Sequence, residues 1–151
     1  MTSSIWVSIT TTDLARATAF YTGLGFTINP AFTDDNAACI EVDDHLYFML
    51  VTRDFFATMT EKTIADPRTH AQFGINITRA SREDVDAVVA KGLAAGGTEP
   101  QPAQDHGFMY ARDLEDPDGN NLGFLYMEPT AVERGPQGHL ADQAAEPSGA
   151  A

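Results

Sequence analysis

One pattern occurs twice in this chain, and it limits the fold more than any other feature. Ile5, Val7 and Ile9 alternate with Trp6, Ser8 and Thr10, the period of a half-buried strand. Thr12-Asp13 then offers a helix cap, and Leu14, Ala17, Phe20, Tyr21 and Leu24 recur at helical spacing until Gly23 and Gly25 stop the helix. Further along, Phe73, Ile75 and Ile77 alternate with Gly74, Asn76 and Thr78. Ser81 caps the next helix, with Asp84 three residues on as in a capping box. Val85, Val88, Val89 and Leu93 form its apolar stripe, and Gly96-Gly97 ends it. Gly74 thus falls at the place of Trp6, Asn76 at that of Ser8, and Ser81 at that of Asp13. One strand and one crossover helix, with a few further strands, cannot bury a sheet face alone. The two units are expected to pack into one domain.

The residues between supply those further strands. Residues 26–32 read as a strand bent or edged by Pro30, Asp34-Asp35-Asn36 as a turn, and 38–42 with 46–51 as a hairpin around Asp43-Asp44-His45. Residues 52–66 form a connector in which Phe55, Phe56 and Met59 dock a short helical turn, closed by Pro67. In the second half, 98–102 read as a short strand or turn and 108–113 as a strand. Asp116-Pro117-Asp118-Gly119-Asn120 forms a dense turn before the last strand, 122–127. The expected class is α+β: two β-α-β-β-β modules, about 4–62 and 70–129, forming cupped mixed sheets in one domain over 1–129. From 130 to 151 large apolar residues nearly vanish, which predicts a flexible tail or one draped on a partner subunit.

Charge narrows the partners. Lys+Arg total 9 and Asp+Glu 22, a net charge of −13. Such a chain repels bare nucleic acid and anionic membranes, so neither is an expected partner. The single Cys39 excludes an internal disulfide and an all-cysteine metal site, and its neighbours Ala37, Ala38 and Ile40 predict a buried, inert thiol. The start lacks a basic stretch and an apolar core, and the apolar run 46–51 is too short to cross a bilayer. A cytoplasmic protein is the expectation.

Asp13-Leu14, Phe20-Tyr21 and Leu24-Gly25-Phe26, followed in the second half by Asp116-Pro117-Asp118-Gly119-Asn120, resemble the two modules of the vicinal-oxygen-chelate superfamily. That superfamily includes glyoxalases, extradiol dioxygenases and bleomycin-resistance proteins. The stretch from Gln104 to Tyr110 is similar to its glyoxalase-like branch, and the likeness covers roughly residues 4–129. The resemblance implies a homodimer with its sites inside the sheet cups. It also implies four metal-ligand positions on cup-facing strands. Here these positions hold Trp6, Gly74, Gly123 and a residue near Met49. Tryptophan has no lone pair to give, glycine has no side chain, and a thioether suits soft ions rather than Zn, Ni, Mn or Fe(II). No metal and no cofactor are therefore expected.

What alternation leaves on the cup faces is a binding surface. It comprises Trp6, Ser8 and Thr10, Tyr47, Met49 and Val51, Gln72, Gly74, Asn76 and Thr78, and Asn121, Gly123 and Leu125. An aromatic plate, a methionine, hydroxyls and one amide, with no acids, suit a neutral, flat, partly apolar ligand. The two glycines are expected to leave empty volume. His45, His70 and His139 read as solvated. His106, between Asp105 and the aromatics Phe108 and Tyr110, is the candidate catalytic residue.

The expectation is a glyoxalase/bleomycin-resistance-like protein that binds or sequesters a small planar molecule. The alternative is a glyoxalase-like lyase, isomerase or dioxygenase-type enzyme, with an unrecognised metal site or acid–base chemistry on His106 and Tyr110 or Asp105. A third possibility is a fold kept for assembly alone. Protein purified without chelator and incubated with Zn, Ni, Mn or Fe(II) is expected to keep its metal-free mass in native mass spectrometry. A stoichiometric adduct would sink the metal-free reading.

Overall fold

Each alternating segment becomes a strand, and the twofold pattern becomes two sheets of identical topology. In the computed structural model, which describes residues 2–146, the first module runs β1 (Ile5–Thr11), α1 (Leu14–Gly23), β2 (Thr27–Asn29), β3 (Ala37–Asp43) and β4 (Leu46–Thr52). The second runs β5 (Ile75–Thr78), α3 (Arg82–Ala94), β6 (Gln104–Asp105), β7 (Met109–Glu115) and β8 (Asn121–Met127). The sheet orders are β1-β4-β3-β2 and β5-β8-β7-β6, with the first pair of each parallel and the others antiparallel. The expected α+β fold of two β-α-β-β-β modules with mixed sheets is observed.

The capping residues act as their chemistry predicts. Asp13 accepts from the Arg16 amide at 3.0 Å and Ser81 from the Asp84 amide at 3.1 Å. The apolar faces of α1 and α3 meet between the sheets, so Phe20, Tyr21, Leu24, Val85, Val89 and Phe124 lie in one core shared by both modules. Gly92 lets α3 lie close on β7, since a Cβ there would stand 2.1 Å from Leu114 Cδ2.

Several boundaries shift. Residues 26–32 split into β2 and a 3-10 turn at Pro30–Phe32, because proline cannot donate to the ladder. β5 starts at Ile75 rather than Phe73, and 98–102 holds only an isolated bridge between Thr98 and Glu115. The connector begins with α2 (Arg53–Phe56); Phe56 is half-buried, whereas Phe55 and Met59 stay exposed. Beyond it the chain crosses the molecule as a strap, held where the Arg53 guanidinium donates to the carbonyls of Ile64 and Ala65 at 3.1 and 3.0 Å.

The segment 130–151, expected as a tail, flexible or draped on a partner subunit, is helical over most of its length. Pro129–Ala145 forms α4, interrupted at Gly135 (φ 75°, ψ 172°) before Pro136. Proline at a first helical turn, followed by Ala, Glu and Gln, favours helix without large apolar residues. His139, expected to be solvated, is buried between the Thr130 hydroxyl at its Nδ1 and Gln143 at its Nε2. Residues 147–151 lie outside the described residues. Among the described residues no helix is long and apolar enough to cross a membrane.

The turn joining β7 to β8 binds the modules to each other. Asp116 is buried and accepts four hydrogen bonds, from the Tyr21 hydroxyl (2.8 Å), the Asn120 side chain and the amides of Asp118 and Asn120 (2.9 Å each). Asp118 accepts from the Thr11 hydroxyl (2.6 Å), the Thr12 amide and hydroxyl (3.0 and 2.9 Å) and Arg16 (3.0 Å). Burial pushes the Asp116 pKa above the usual carboxylate value, against the pull of Asn120 and Tyr21. For Asp118 burial also acts upward, but the Thr11 and Thr12 hydrogen bonds and the Arg16 charge outweigh it and bring the pKa down.

Removing one partner of such a buried group leaves the other unsatisfied. Tyr21→Phe is expected to cost about 1–3 kcal/mol in urea unfolding; an unchanged midpoint would show that the latch carries nothing. A depressed folded pKa means that the Asp118 contribution is present above its unfolded pKa and is lost as pH falls through the folded one. Asp118→Asn should therefore flatten the acid limb of stability between about pH 5 and pH 2. The raised Asp116 works in the opposite sense, while the lowered Asp86, Glu99 and Asp105 add to the acid limb in the same sense as Asp118.

Candidate functional site

On β1 the side chains that face away from the core are Trp6, Ser8 and Thr10, as alternation requires, and the structure divides them between two neighbouring features. The first is an aromatic plate. Trp6 stacks on Tyr47, its register partner on β4, with centroids 4.3 Å apart and planes 18° from parallel. Phe32 meets the Trp6 ring edge-on at 5.7 Å. The plate is not buried by the chain itself: Trp6 is 45% and Phe32 58% exposed. The Tyr47 hydroxyl is held by the Asp44 carbonyl at 2.8 Å and the indole N–H by the Ser4 hydroxyl at 3.1 Å. Met49, half-buried, follows Tyr47 on the same face.

The second feature is a cavity of about 410 Å³ beneath the strap, within the range of small-molecule sites. Ser8 and Thr10 form its side on the first sheet, and Asn121 and Glu115 its side on the second. Gln72 and Phe73 close one end, and Phe56, Lys62 and Ile64 belong to the cover. Gly119 (φ 95°) lets the strap pass, because a Cβ there would sit 3.1 Å from the Arg68 amide nitrogen.

The remaining candidates go elsewhere. Gly74, Asn76, Gly123 and Leu125 share the open face of the second sheet but do not line the cavity. The volume expected above Gly123 is already filled, since a Cβ there would lie 2.0 Å from the Asn76 amide oxygen. That open face is not free of acids either. Asp113, the register partner of Gly123, stands beside it and accepts from Gln101 at 2.7 Å, and Glu115 follows two residues on. Glu41 stands opposite Tyr47 on the first sheet and accepts from Asn29 at 2.9 Å. These acids come from β3 and β7, the antiparallel neighbours of β4 and β8, whose contribution to each face depends on the strand order.

Tyr110 is on the helix side of its sheet. Its hydroxyl donates to Asp86 of α3 at 2.7 Å, which raises the Tyr110 pKa, and Arg82 lies over its ring at 5.3 Å. Arg112 joins the same network with a two-pronged contact to Glu99 at 2.8 Å. His106 is exposed on the β6–β7 hairpin, beside Phe108 at 6.1 Å, while Asp105 is taken by Arg82 at 2.7 Å. Asp105 and Tyr110 are register partners that share Arg82, whereas among the described residues the His106 ring forms no hydrogen bond to either of them. Cys39 is fully buried, and burial together with Glu41 raises its pKa, which makes it a poor nucleophile.

Known proteins bear on this geometry. Residues 3–43 match the family model for the bleomycin resistance protein-like N-terminal region. No curated protein sequence matches the chain. A hypothetical protein of S. aureus aligns with a TM-score of 0.71 and 25% identity, over 83% of this chain and 94% of its own. A glyoxalase/bleomycin resistance protein/dioxygenase family enzyme of Burkholderia phytofirmans gives 0.69 and 20%, over 81% and 96%. A glyoxalase/bleomycin resistance protein of Albidiferax ferrireducens gives 0.60 and 25%, over 80% and 95%. The fold is that of the vicinal-oxygen-chelate superfamily.

The resemblance implies metal positions at Trp6, Gly74, Gly123 and a residue near Met49. They offer no donor set for a hard divalent ion. Among the described residues no group of three or more His, Cys, Asp or Glu side chains is placed to hold a metal. On that implied placement the side chains do not fit a hard divalent metal.

Proposed function

We propose that this chain binds a small, planar, partly apolar molecule along the outward face of β1, between the Trp6 plate and the strap cavity, and releases it unchanged. The observation that carries the reading is the Trp6–Tyr47 stack, left open to solvent on a strand whose next two outward residues line a ligand-sized cavity. Large rings exposed on a sheet face lose apolar contact with water when a flat ligand covers them, and stacking adds to that gain. Tyr47 and Trp6 are held by their hydrogen bonds to Asp44 and Ser4, so little side-chain freedom is lost on binding.

Trp6 is the single tryptophan of the chain, so its emission reports this site alone. Titration with planar aromatics such as indole, quinoline or 2-naphthol is expected to quench or shift that emission saturably, with the ligand recovered chemically intact. Tyr47→Ala should weaken binding about three- to tenfold, the value of one aromatic contact. An emission that stays unchanged across the panel, or a ligand recovered as product, overturns the reading.

A further inference from the structure

The strap cavity holds two opposite charges that do not meet. Lys62 lines it from the strap and Glu115 from the end of β7. The ion pairs among the described residues involve neither side chain. Lys62 is also one of only two lysines in a chain of net charge −13, so a cation at this place is conspicuous against its background. Around the pair are the apolar surfaces of Phe56, Ile64 and Phe73 and the side-chain amides of Gln72 and Asn121.

Each charge restricts what can enter. Glu115 is half-buried and Lys62 exposed, so a ligand that fills the cavity takes water chiefly from Glu115, and a charge brought near either side chain is favoured when its sign is opposite. A neutral apolar molecule pairs neither. A bare anion pairs Lys62 but faces Glu115 and the negative field of the whole chain, and a bare cation leaves Lys62 unpaired. A molecule with both signs and an apolar part complements Lys62, Glu115 and the apolar lining together, and leaves the His70 ring as a further polar neighbour. We propose that the cavity takes a small zwitterion with an apolar side group, an amino acid or a close derivative, its carboxylate on Lys62 and its ammonium on Glu115. Because one charge sits on the strap and the other on a sheet, the ligand ties the cover to the floor. The inference rests on the reading that the outward face of β1 receives a small molecule, since Ser8 and Thr10 belong to both.

Calorimetry of the full chain with L-phenylalanine, 3-phenylpropanoate and 2-phenylethylamine separates the two charges, because the last two lack the amine and the carboxylate respectively. L-Phenylalanine is expected to bind at least about tenfold tighter than either. Lys62→Met should remove its advantage over 2-phenylethylamine, and Glu115→Gln its advantage over 3-phenylpropanoate. Equal affinities for the three probes overturn the proposal. So does an advantage that survives both substitutions, or an absence of heat with every apolar amino acid at millimolar concentration. Trp6 emission in the presence of indole tells the two readings apart. Quenching by indole with no zwitterion preference leaves the binding plate and sinks this inference. A zwitterion preference that depends on both Lys62 and Glu115, without any quenching, does the reverse.

Discussion

Asp116 and Asp118 are the hinge on which the arrangement of the two modules turns. Buried carboxylates are tolerated only where donors surround them, and here the side-chain donors from outside the turn come from the first module: Tyr21, Thr11, Thr12 and Arg16. The turn that closes the last hairpin of one module is thereby docked on the first strand and helix of the other. Such pairing is weak evidence of net stabilisation, but it fixes one geometry, because any other placement leaves charge buried and unpaired. Asn120 adds a bond from its side chain to the Thr10 carbonyl, which draws the end of β1 towards the start of β8.

The site follows from that docking. With β1 and β8 held near each other at the turn, Ser8 and Thr10 stand across from Asn121 and Glu115, and the space between becomes a cavity once the strap crosses it. Arg53 keeps the strap in place by two backbone carbonyls, and Gly119 gives it room to pass. The aromatic plate is different in kind. It needs only the parallel pairing of β1 with β4, which brings Trp6 opposite Tyr47, and so it is a property of the first module alone.

The outward face of β1 was legible because a strand has a period of two, and one outward residue fixes the others. On β5 and β8 the same rule could not say that Asn76 would lie over Gly123, since that depends on which strand becomes the neighbour. Tyr110 shows the limit more sharply. Its local sequence placed it beside His106, but strand alternation turned its ring to α3, where Asp86 and Arg82 were waiting from a distant part of the chain. His139 and α4 were missed because the composition signal for disorder and the propensity signal for helix draw on the same small and polar residues.

By itself, then, the sequence determined the two crossover helices, the long strands and their twofold repetition, because capping, alternation and turn chemistry act over a few residues. Only the tertiary structure decided which carboxylates are buried, which module supplies their donors, and that Lys62 and Glu115 share one cavity. Those facts join residues tens of positions apart, and no local rule of the chain encodes a distance between them.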